Sequence, residues 1–278
     1  MKIAVTGGAG FIGTPTVDAA RKAGHDAWSV DRLTPGGDIM GDLSGLDGAD
    51  AVIHLAGVLG TAELFDTAND AVQVNIQGAL NVMQWCLDNA PARYVGILMP
   101  DVFPSIYTAT KIAAQRIATA LYAGRGLPVA HVRAFNAYGP GQKHGPGHPQ
   151  KILPTFAVNA LRRQPIPIWG SGNQTVDMIH VDDIARMLVD AVDYTHENAV
   201  FDGGTGIPMT VNQVAQVVAQ AAGWDEPSII HLPMRDGEVE SHIVATGDGW
   251  DRLGWRPRFD SELICESVRW YSANWQTG

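Results

Sequence analysis

The sequence predicts an α/β protein, with a doubly wound parallel β-sheet followed by a smaller C-terminal cap. Two observations support this fold class. Short β-branched runs alternate with helical stretches through the first 135 residues, which is typical of parallel strands joined by right-handed crossovers. From residue 139 to residue 149 the chain instead carries four glycines and three prolines, which predicts a loop between the two parts.

Apolar periodicity and helix-end signals set the individual elements. Strands are predicted at residues 3–5, 27–31, 51–55, 94–98, 128–133, 166–169 and 200–202. Helices are predicted at residues 14–23, 69–89, 106–125, 153–163, 210–222 and 261–271. Thr210 is expected to cap the fifth of these helices. The C-terminal half has too few strand signals to form a full sheet of its own.

Composition limits the kinds of partner. The 278 residues carry a formal net charge of -10, which disfavours nucleic acid and anionic membranes as main partners. No apolar run is long enough for a membrane helix, and the first strand starts at Lys2 with no leader expected before it. Cys86 and Cys265 share no metal-ligand spacing, so we expect reduced packing residues and a cytoplasmic protein.

The strongest motif follows the first strand. Gly7, Gly10 and Gly13 are spaced G-x-x-G-x-x-G, between a strand and a helix. Glycine permits the tight turn there, the close approach of backbone to a pyrophosphate, and the packing of helix on strand. The N–H groups at the helix start favour an anion. This motif predicts a Rossmann domain that binds a dinucleotide.

The end of the second strand indicates which dinucleotide. Asp31 lies 18 residues beyond Gly13, where a carboxylate can accept hydrogen bonds from the adenosine ribose and repels a 2′-phosphate. That favours NAD over NADP. Arg32 weakens the preference slightly, because a guanidinium can pair with a phosphate.

A second motif carries candidate chemistry. Tyr107 and Lys111 are spaced Y-x-x-x-K at the start of a helix, so both lie on one helical face. An ammonium near the phenol is expected to lower the phenol's pKa, so that Tyr107 can act as acid and base near neutral pH.

Further motifs recur along nearly the whole chain. They are Thr6–Gly13, Gly41-Asp42-Leu43, His54-Leu-Ala-Gly57, Val74-Asn75-Ile-Gln-Gly78, Tyr107–Lys111, Arg133–Gln142, Gly170–Gln174 and Ile179–Ala185. Together they resemble the extended short-chain dehydrogenase/reductases, in particular the nucleotide-sugar epimerase/dehydratase branch typified by UDP-glucose 4-epimerase.

The resemblance implies a role for many residues. An NAD-binding domain would span residues 1–139, with about 175–204 returning to it, and a substrate-binding domain would span 140–174 and 205–278. Cofactor-binding residues would be Gly7, Gly10, Phe11, Ile12, Gly13, Asp31, Arg32, Asp42, Leu43, Leu55, Ala56, Gly57, Asn75, Tyr107 and Lys111. Substrate-binding residues would be Asn136, Leu153, Trp169 and Arg235, the arginine holding a diphosphate through its planar fork.

The chain departs from the family where a catalytic serine or threonine is usual. Lining up Val102-Phe103 with the family's Val-Tyr places Met99 on that position, and methionine has no hydrogen to donate. Seven residues lie between Met99 and Tyr107, fewer than the family usually has. Three alternatives stay open: Ser105 or Thr108 supplies the hydroxyl, Asp101 acts as an acid, or Tyr107 and Lys111 carry a weakened reaction.

Three other features lie in the C-terminal half of the sequence. Val176 stands where the family usually has an arginine, which removes one contact to diphosphate or ribose. His180, Asp182 and Asp183 are expected to form a structural junction, with an aspartate capping a helix that begins near Ile184. His144 and His148 lie in a glycine- and proline-rich loop, so no metal site is expected.

The resemblance implies an NAD-dependent epimerase that inverts C4 of a UDP-hexose by transient oxidation. The alternatives are a nucleotide-sugar dehydratase and a catalytically weakened NAD-binding regulatory protein. The family also implies a homodimer, formed through helices at residues 69–89 and 106–122.

Overall fold

The computed structural model describes residues 1–89, 92–102, 104–247 and 249–275. The strands of this part are β1 (Lys2–Thr6), β2 (Asp26–Val30), β3 (Ala51–His54), β4 (Arg93–Leu98), β5 (Val129–Ala134), β6 (Asn136–Tyr138), β7 (Ile166–Trp169), β8 (Thr175–His180), β9 (Val200–Gly203), β10 (Pro208–Thr210) and β11 (Ile229–Leu232). The α-helices are α1 (Gly13–Lys22), α2 (Ala68–Val72), α3 (Ala79–Asp88), α4 (Ile106–Arg125), α5 (Ile152–Leu161), α6 (Val181–Asp190), α7 (Val211–Ala221), α8 (Trp250–Leu253) and α9 (Ser261–Asn274).

The main sheet is parallel and has the strand order β2-β1-β3-β4-β5-β9. After β2 the chain crosses to the other side of β1 to form β3, so the order of strands reverses between β1 and β3. Ligands of doubly wound sheets bind at such a point, outside the carboxyl ends of the strands. The predicted fold class is confirmed, and the glycine motif lies at the carboxyl end of β1.

Side chains of the central strands alternate between the two faces of the sheet, and each face has its own hydrophobic core. Ile3 and Val5 of β1 pack with α6 residues such as Leu188. Ala4 faces the other way and packs with α3 and α4, through residues such as Val82. Successive side chains of a strand point to opposite faces, so a continuous apolar run here means burial on both faces.

The C-terminal part has its own core and its own small sheets. Strands β10, β8 and β6 form a three-stranded sheet and β11 pairs with β7 in a two-stranded one, so this part has two small sheets rather than one full sheet. Its third core joins α5, α7 and α9 through residues such as Phe156, Val214 and Val268. The hydroxyl of Tyr271 donates to the carbonyl of Gln142, which ties α9 to the loop after β6.

Strand β8 escaped sequence prediction because an aspartate occupies its centre. Asp177 is fully buried, and its carboxylate accepts hydrogen bonds from the backbone N–H groups of Thr205 (2.7 Å), Gly206 (2.9 Å) and Ala245 (3.0 Å). A buried carboxylate is stable when it is hydrogen-bonded in this way. Asp177 therefore fixes two loops of the C-terminal part to the strand.

Two helix predictions need correction. The expected helix at residues 69–89 is interrupted by a π-helical segment, Gln73–Gly78, between α2 and α3. The helix expected near Ile184 begins at Val181, and its cap is His180, whose Nδ1 accepts a hydrogen bond from the N–H of Asp182 (3.3 Å). Asp183 does not cap the helix; its carboxylate binds Arg258 at 2.9 Å. Within the described ranges no helix combines the length and apolarity needed to cross a bilayer.

Candidate active site

The loop after β1 leaves no room for side chains. Gly7 has φ +67°, and a Cβ there would lie 2.8 Å from the backbone nitrogen of Ala56. A Cβ on Gly13 would lie 2.1 Å from the carbonyl oxygen of Gly7, and one on Gly10 would lie 3.0 Å from the same oxygen. The loop therefore packs backbone on backbone, and it holds the start of α1 against the end of β3.

The start of α1 is open to an anion. Its first turn contains no acidic residue, and Ile12, the residue before it, provides no side-chain cap. A helix start attracts phosphate through its dipole and its N–H groups. In α1, Thr14 and Thr16 already donate to the carbonyls of Gly10 (3.0 Å) and Ile12 (3.1 Å), and Pro15 has no N–H, so N–H groups before Thr14 would make the contact. The glycine turn and this helix start fit the pyrophosphate of a dinucleotide, with Phe11 and Ile12 lining the adjoining cavity.

Asp31 directly follows β2, at the same edge of the sheet. Its carboxylate accepts a hydrogen bond from the N–H of Leu33 (3.4 Å), and Arg32 is exposed. Asp42 is exposed, and hydrogen bonds from Ser44 lower the pKa of its carboxyl group. Both carboxylates follow β2 along the chain, and the adenosine half of a dinucleotide would lie near the end of that strand.

The ends of β1 and β3 are joined by a buried threonine. The Thr6 hydroxyl lies 2.8 Å from Nδ1 of His54, and its oxygen accepts from the N–H groups of Leu55 (3.2 Å) and Ala56 (3.3 Å). This contact sets the path of the segment that follows β3. Leu55 and Ala56 are half-buried there, beside the glycine turn.

The π-helical segment brings Asn75 under the same segment. Asn75 is 1% exposed; its amide accepts from the N–H of Val58 (2.8 Å) and donates to the carbonyl of Val58 (3.0 Å) and to the Thr110 hydroxyl (3.1 Å). A Cβ on Gly57 would lie 2.9 Å from the Asn75 amide oxygen and 3.3 Å from Nζ of Lys111. Asn75 thus fixes the backbone at Val58, next to Gly57. π-Helical turns often occur at functional sites.

Tyr107 and Lys111 start α4 beside this segment, with Nζ of Lys111 6.0 Å from the centre of the Tyr107 ring. Burial lowers the pKa of Lys111 to about 8. Burial also raises the pKa of Tyr107 above its ordinary value, so the expected lowering by Lys111 is not found. Desolvation of the phenol outweighs an ammonium at this distance.

A cavity of about 370 Å³ runs from Tyr107 toward the C-terminal part. Asn136, Leu153, Trp169 and Arg235, the four predicted substrate residues, all line it. Its size is within the range of small-molecule sites, and its walls are mostly apolar. The structure therefore places Tyr107 and the four predicted substrate residues in one cleft, whereas Lys111 is not among the residues that line it.

The candidates for the missing catalytic group lie at different places relative to the cavity. Thr108 and Met99 line the cavity, and the Thr108 hydroxyl donates to the Met99 sulfur at 3.4 Å. Ser105 is the cap of α4 and accepts from the N–H of Thr108 (3.0 Å), so it lies behind the wall. Asp101 is exposed and outside the lining. Phe103, used in the alignment with the family, is outside the described residues.

Arg235 is held by two carboxylates. Its Nε donates to Glu238 at 3.0 Å, a second nitrogen also contacts Glu238, and Glu63 lies 3.7 Å away. The guanidinium lies 5.3 Å from the centre of the Trp169 ring, so it covers one face of this predicted substrate-binding residue. The pKa of Glu63 is lowered: burial raises it, but backbone N–H groups and Arg235 outweigh burial.

Sequence reasoning missed Lys151 and Glu63. Lys151 lines the cavity, and burial lowers the pKa of its ammonium, with Glu63 and Glu238 opposing that shift. Glu63 also accepts a hydrogen bond from the N–H of Gln150 at 3.2 Å, which links the loop after β3 to the start of α5. A lone charged residue beside an apolar helix was the signal for Lys151, whereas nothing in the sequence marked Glu63.

Val176 lines the cavity, as its alignment with a substrate contact implies, and its short apolar side chain offers no charge there. His144 contacts the Trp275 ring at 5.7 Å between ring centres, a packing contact. Cys86 is buried on α3 and Cys265 is half-buried on α9; both are free thiols.

Fold and site together define a dinucleotide-dependent enzyme of the Rossmann class with a tyrosine–lysine pair. The model of the NAD dependent epimerase/dehydratase family matches residues 3–97 and 100–201. The chain belongs to that family, and NAD is the cofactor of the family.

Similar proteins include both dehydratases and epimerases. A dTDP-glucose 4,6-dehydratase of Streptomyces niveus is 27% identical, over 99% of this chain and 94% of the relative. A putative UDP-glucose 4-epimerase of Methanocaldococcus jannaschii is 26% identical, over 99% and 100%. The crystal structure of DesIV, a dTDP-glucose 4,6-dehydratase of Streptomyces venezuelae with NAD and TYD bound, is 26% identical with a TM-score of 0.88, over 99% and 98%.

Proposed function

We propose that this protein is an NAD-dependent nucleotide-sugar epimerase that inverts C4 of a UDP-hexose by transient oxidation. The proposal rests on the cleft that runs from Tyr107 to Arg235 and Trp169, next to the glycine loop Gly7–Gly13 that would hold the dinucleotide. A sugar bound in it with its diphosphate toward Arg235 would reach the phenol. The relative named as a UDP-glucose 4-epimerase supports the same substrate class.

Tyr107 would remove the proton of the sugar hydroxyl and return it after the sugar has turned in the cleft. When bound, NAD would supply the redox chemistry, accepting a hydride from the sugar carbon and returning it. Because burial raises the pKa of Tyr107, its phenolate needs a nearby positive charge. Lys111 can provide it, since a pKa of about 8 leaves most of its amine protonated at pH 7.

The dehydratase alternative rests on relatives such as the Streptomyces niveus protein. A dehydratase also needs an acid and a base for loss of water. Asp101, which the sequence offers as a candidate acid, is exposed and outside the lining of the cavity, which favours the epimerase.

The test is an assay of the purified, NAD-loaded protein with UDP-glucose, UDP-galactose, their N-acetyl forms and dTDP-glucose. Interconversion of the 4-epimers is expected. A 4-keto-6-deoxy product would support the dehydratase, and NAD binding without turnover would support a regulatory protein.

Tyr107→Phe is the matched variant, and we expect its turnover to fall by about 100-fold or more. Tyr122→Phe is the control on the same helix. The Tyr122 hydroxyl donates to the carbonyl of His196, away from the cleft, so its loss should leave turnover unchanged. Full turnover by Tyr107→Phe would overturn the catalytic assignment.

We further propose a homodimer formed by the predicted helices at residues 69–89 and 106–122, now α2, α3 and α4. The apolar residue Val72, which is 47% exposed, supports this surface. Light scattering of the purified protein, with Val72→Lys as a disrupting variant, tests it.

We also propose a cytoplasmic location, which the two free thiols favour. Fractionation of the source cells tests this.

A further inference from the structure

Thr108 follows Tyr107 on α4 and lines the same cavity. The residue is 3% exposed, so its hydroxyl group is shielded from bulk water. A polar group shielded in this way interacts more strongly with charge that develops beside it than an exposed group does.

Among the residues that the structure describes, the side chains of the wall next to Thr108 carry no hydrogen-bond donor. Its cavity-lining side chains come from Ile97, Leu98, Met99, Pro100 and Val102. None of these five side chains carries an O–H or N–H group. A sugar oxygen that loses its proton to Tyr107 gains negative charge, and a donor aimed at such an oxygen lowers the barrier.

The hydrogen bonds around Thr108 leave its own proton weakly engaged. Ser105 donates its hydroxyl hydrogen to the Thr108 oxygen at 2.9 Å. The Thr108 hydroxyl in turn donates to the sulfur of Met99 at 3.4 Å. A thioether is a weak acceptor, so a sugar oxygen can replace it at small cost. Donation from Ser105 also polarises the Thr108 hydroxyl and strengthens it as a donor.

We propose that Thr108 is a catalytic residue whose hydroxyl donates a hydrogen bond to the sugar oxygen that Tyr107 deprotonates. Ser105 is a positioning residue that orients and polarises this hydroxyl. The hydroxyl thus comes from the helix that carries Tyr107 and substitutes for one at the end of β4, where Met99 stands. The inference rests on the proposed function, because it needs a sugar in the cleft.

The experiment compares steady-state kinetics of the NAD-loaded wild type, Thr108→Val, Thr108→Ser and Tyr107→Phe. Valine keeps the branched shape, and the Ser105 cap is retained because it accepts from the backbone N–H of residue 108. We expect Thr108→Val to lower kcat by about 10- to 100-fold with little change in KM, as for a contact that forms mainly in the transition state. Thr108→Ser should keep most of the rate.

A rescue variant guards against a merely structural effect. Met99→Thr in the Thr108→Val background places a hydroxyl on the facing wall and should recover about tenfold in kcat. NAD content and the unfolding midpoint are measured for every variant. A Thr108→Val protein that is folded, NAD-loaded and as fast as the wild type would overturn the inference, as would a loss that neither serine nor Met99→Thr relieves.

The two proposals can fail separately. If Tyr107→Phe is inactive while Thr108→Val is fully active, the epimerase proposal stands and the Thr108 proposal falls. If the wild type turns over none of the nucleotide sugars, the proposed function falls, and the role of Thr108 falls with it.

Discussion

The cofactor end and the sugar end of the cleft are built by different means. At the cofactor end, backbone packs on backbone: Gly7 on Ala56, and Gly13 on the Gly7 carbonyl. At the sugar end, side chains from distant loops meet, with Glu63 and Arg235 in contact across 172 positions of sequence. The first arrangement tolerates almost no substitution, whereas the second can change residue by residue.

This difference explains where the chain departs from its family. Met99 and Val176 both line the sugar end, while the glycine motif is intact. A new side chain in the cavity wall alters one contact, but a new Cβ in the glycine turn moves a strand end and a helix together. Three further predictions probe this comparison.

The largest effect is expected for Gly13→Ala. Its Cβ would lie 2.1 Å from a backbone oxygen, so the loop or α1 must move. We expect an unfolding free energy lower by about 3 kcal/mol and loss of most bound NAD. Calorimetry and cofactor extraction measure these quantities.

Gly124→Ala is the matched control. Gly124 lies in the last turn of α4, with no atom within 4 Å of an added Cβ. Alanine there should stabilise the protein by about 0.5–1 kcal/mol and leave NAD bound. Equal behaviour of the two variants would refute the view that backbone packing makes the cofactor end intolerant.

The same difference decides what the sequence could predict. Alternating β-branched runs and the glycine triplet mark β1, α1 and the dinucleotide cradle, because these features depend on neighbours in sequence. Strand β8 was missed because Asp177 reads as a loop residue until its partners in two other loops are known. Glu63 was missed because its role depends on Arg235, which only the folded chain brings near. The direction of the Tyr107 pKa was predicted wrongly because sequence does not report burial.

A smaller effect on the unfolding free energy is expected at acidic pH, from two buried histidines in the main sheet. His54 on β3 and His131 on β5 are buried against Tyr94, and burial, followed by the charge of Lys111, lowers the pKa of each to about 3. The unfolded chain binds these protons below about pH 6.5, so the unfolding free energy falls as pH drops through that value toward 3.

His131→Phe removes one of these titrations. Between pH 6.5 and pH 5 we expect its unfolding free energy to fall by about 2 kcal/mol less than that of the wild type. Urea unfolding at several pH values measures the difference. His196→Gln, at an exposed position, is the control and should keep the wild-type slope. An unchanged slope in His131→Phe would show that other groups cause the acid sensitivity.

The smallest effect is expected at the sugar end, for Arg235→Ala. If the guanidinium exchanges its carboxylate partners for the diphosphate of the substrate, its loss removes one charge-assisted hydrogen-bonding group, and KM should rise by about tenfold with a smaller change in kcat. Arg256→Ala is the control, because Arg256 is 67% exposed and outside the cavity lining. Glu63→Gln should act in the opposite direction and lower KM, since it weakens a competitor for the same guanidinium. A KM that neither variant alters would mean that Arg235 serves only to join Glu63 and Glu238, and that the diphosphate binds elsewhere in the cleft, with Lys151 the next residue to test.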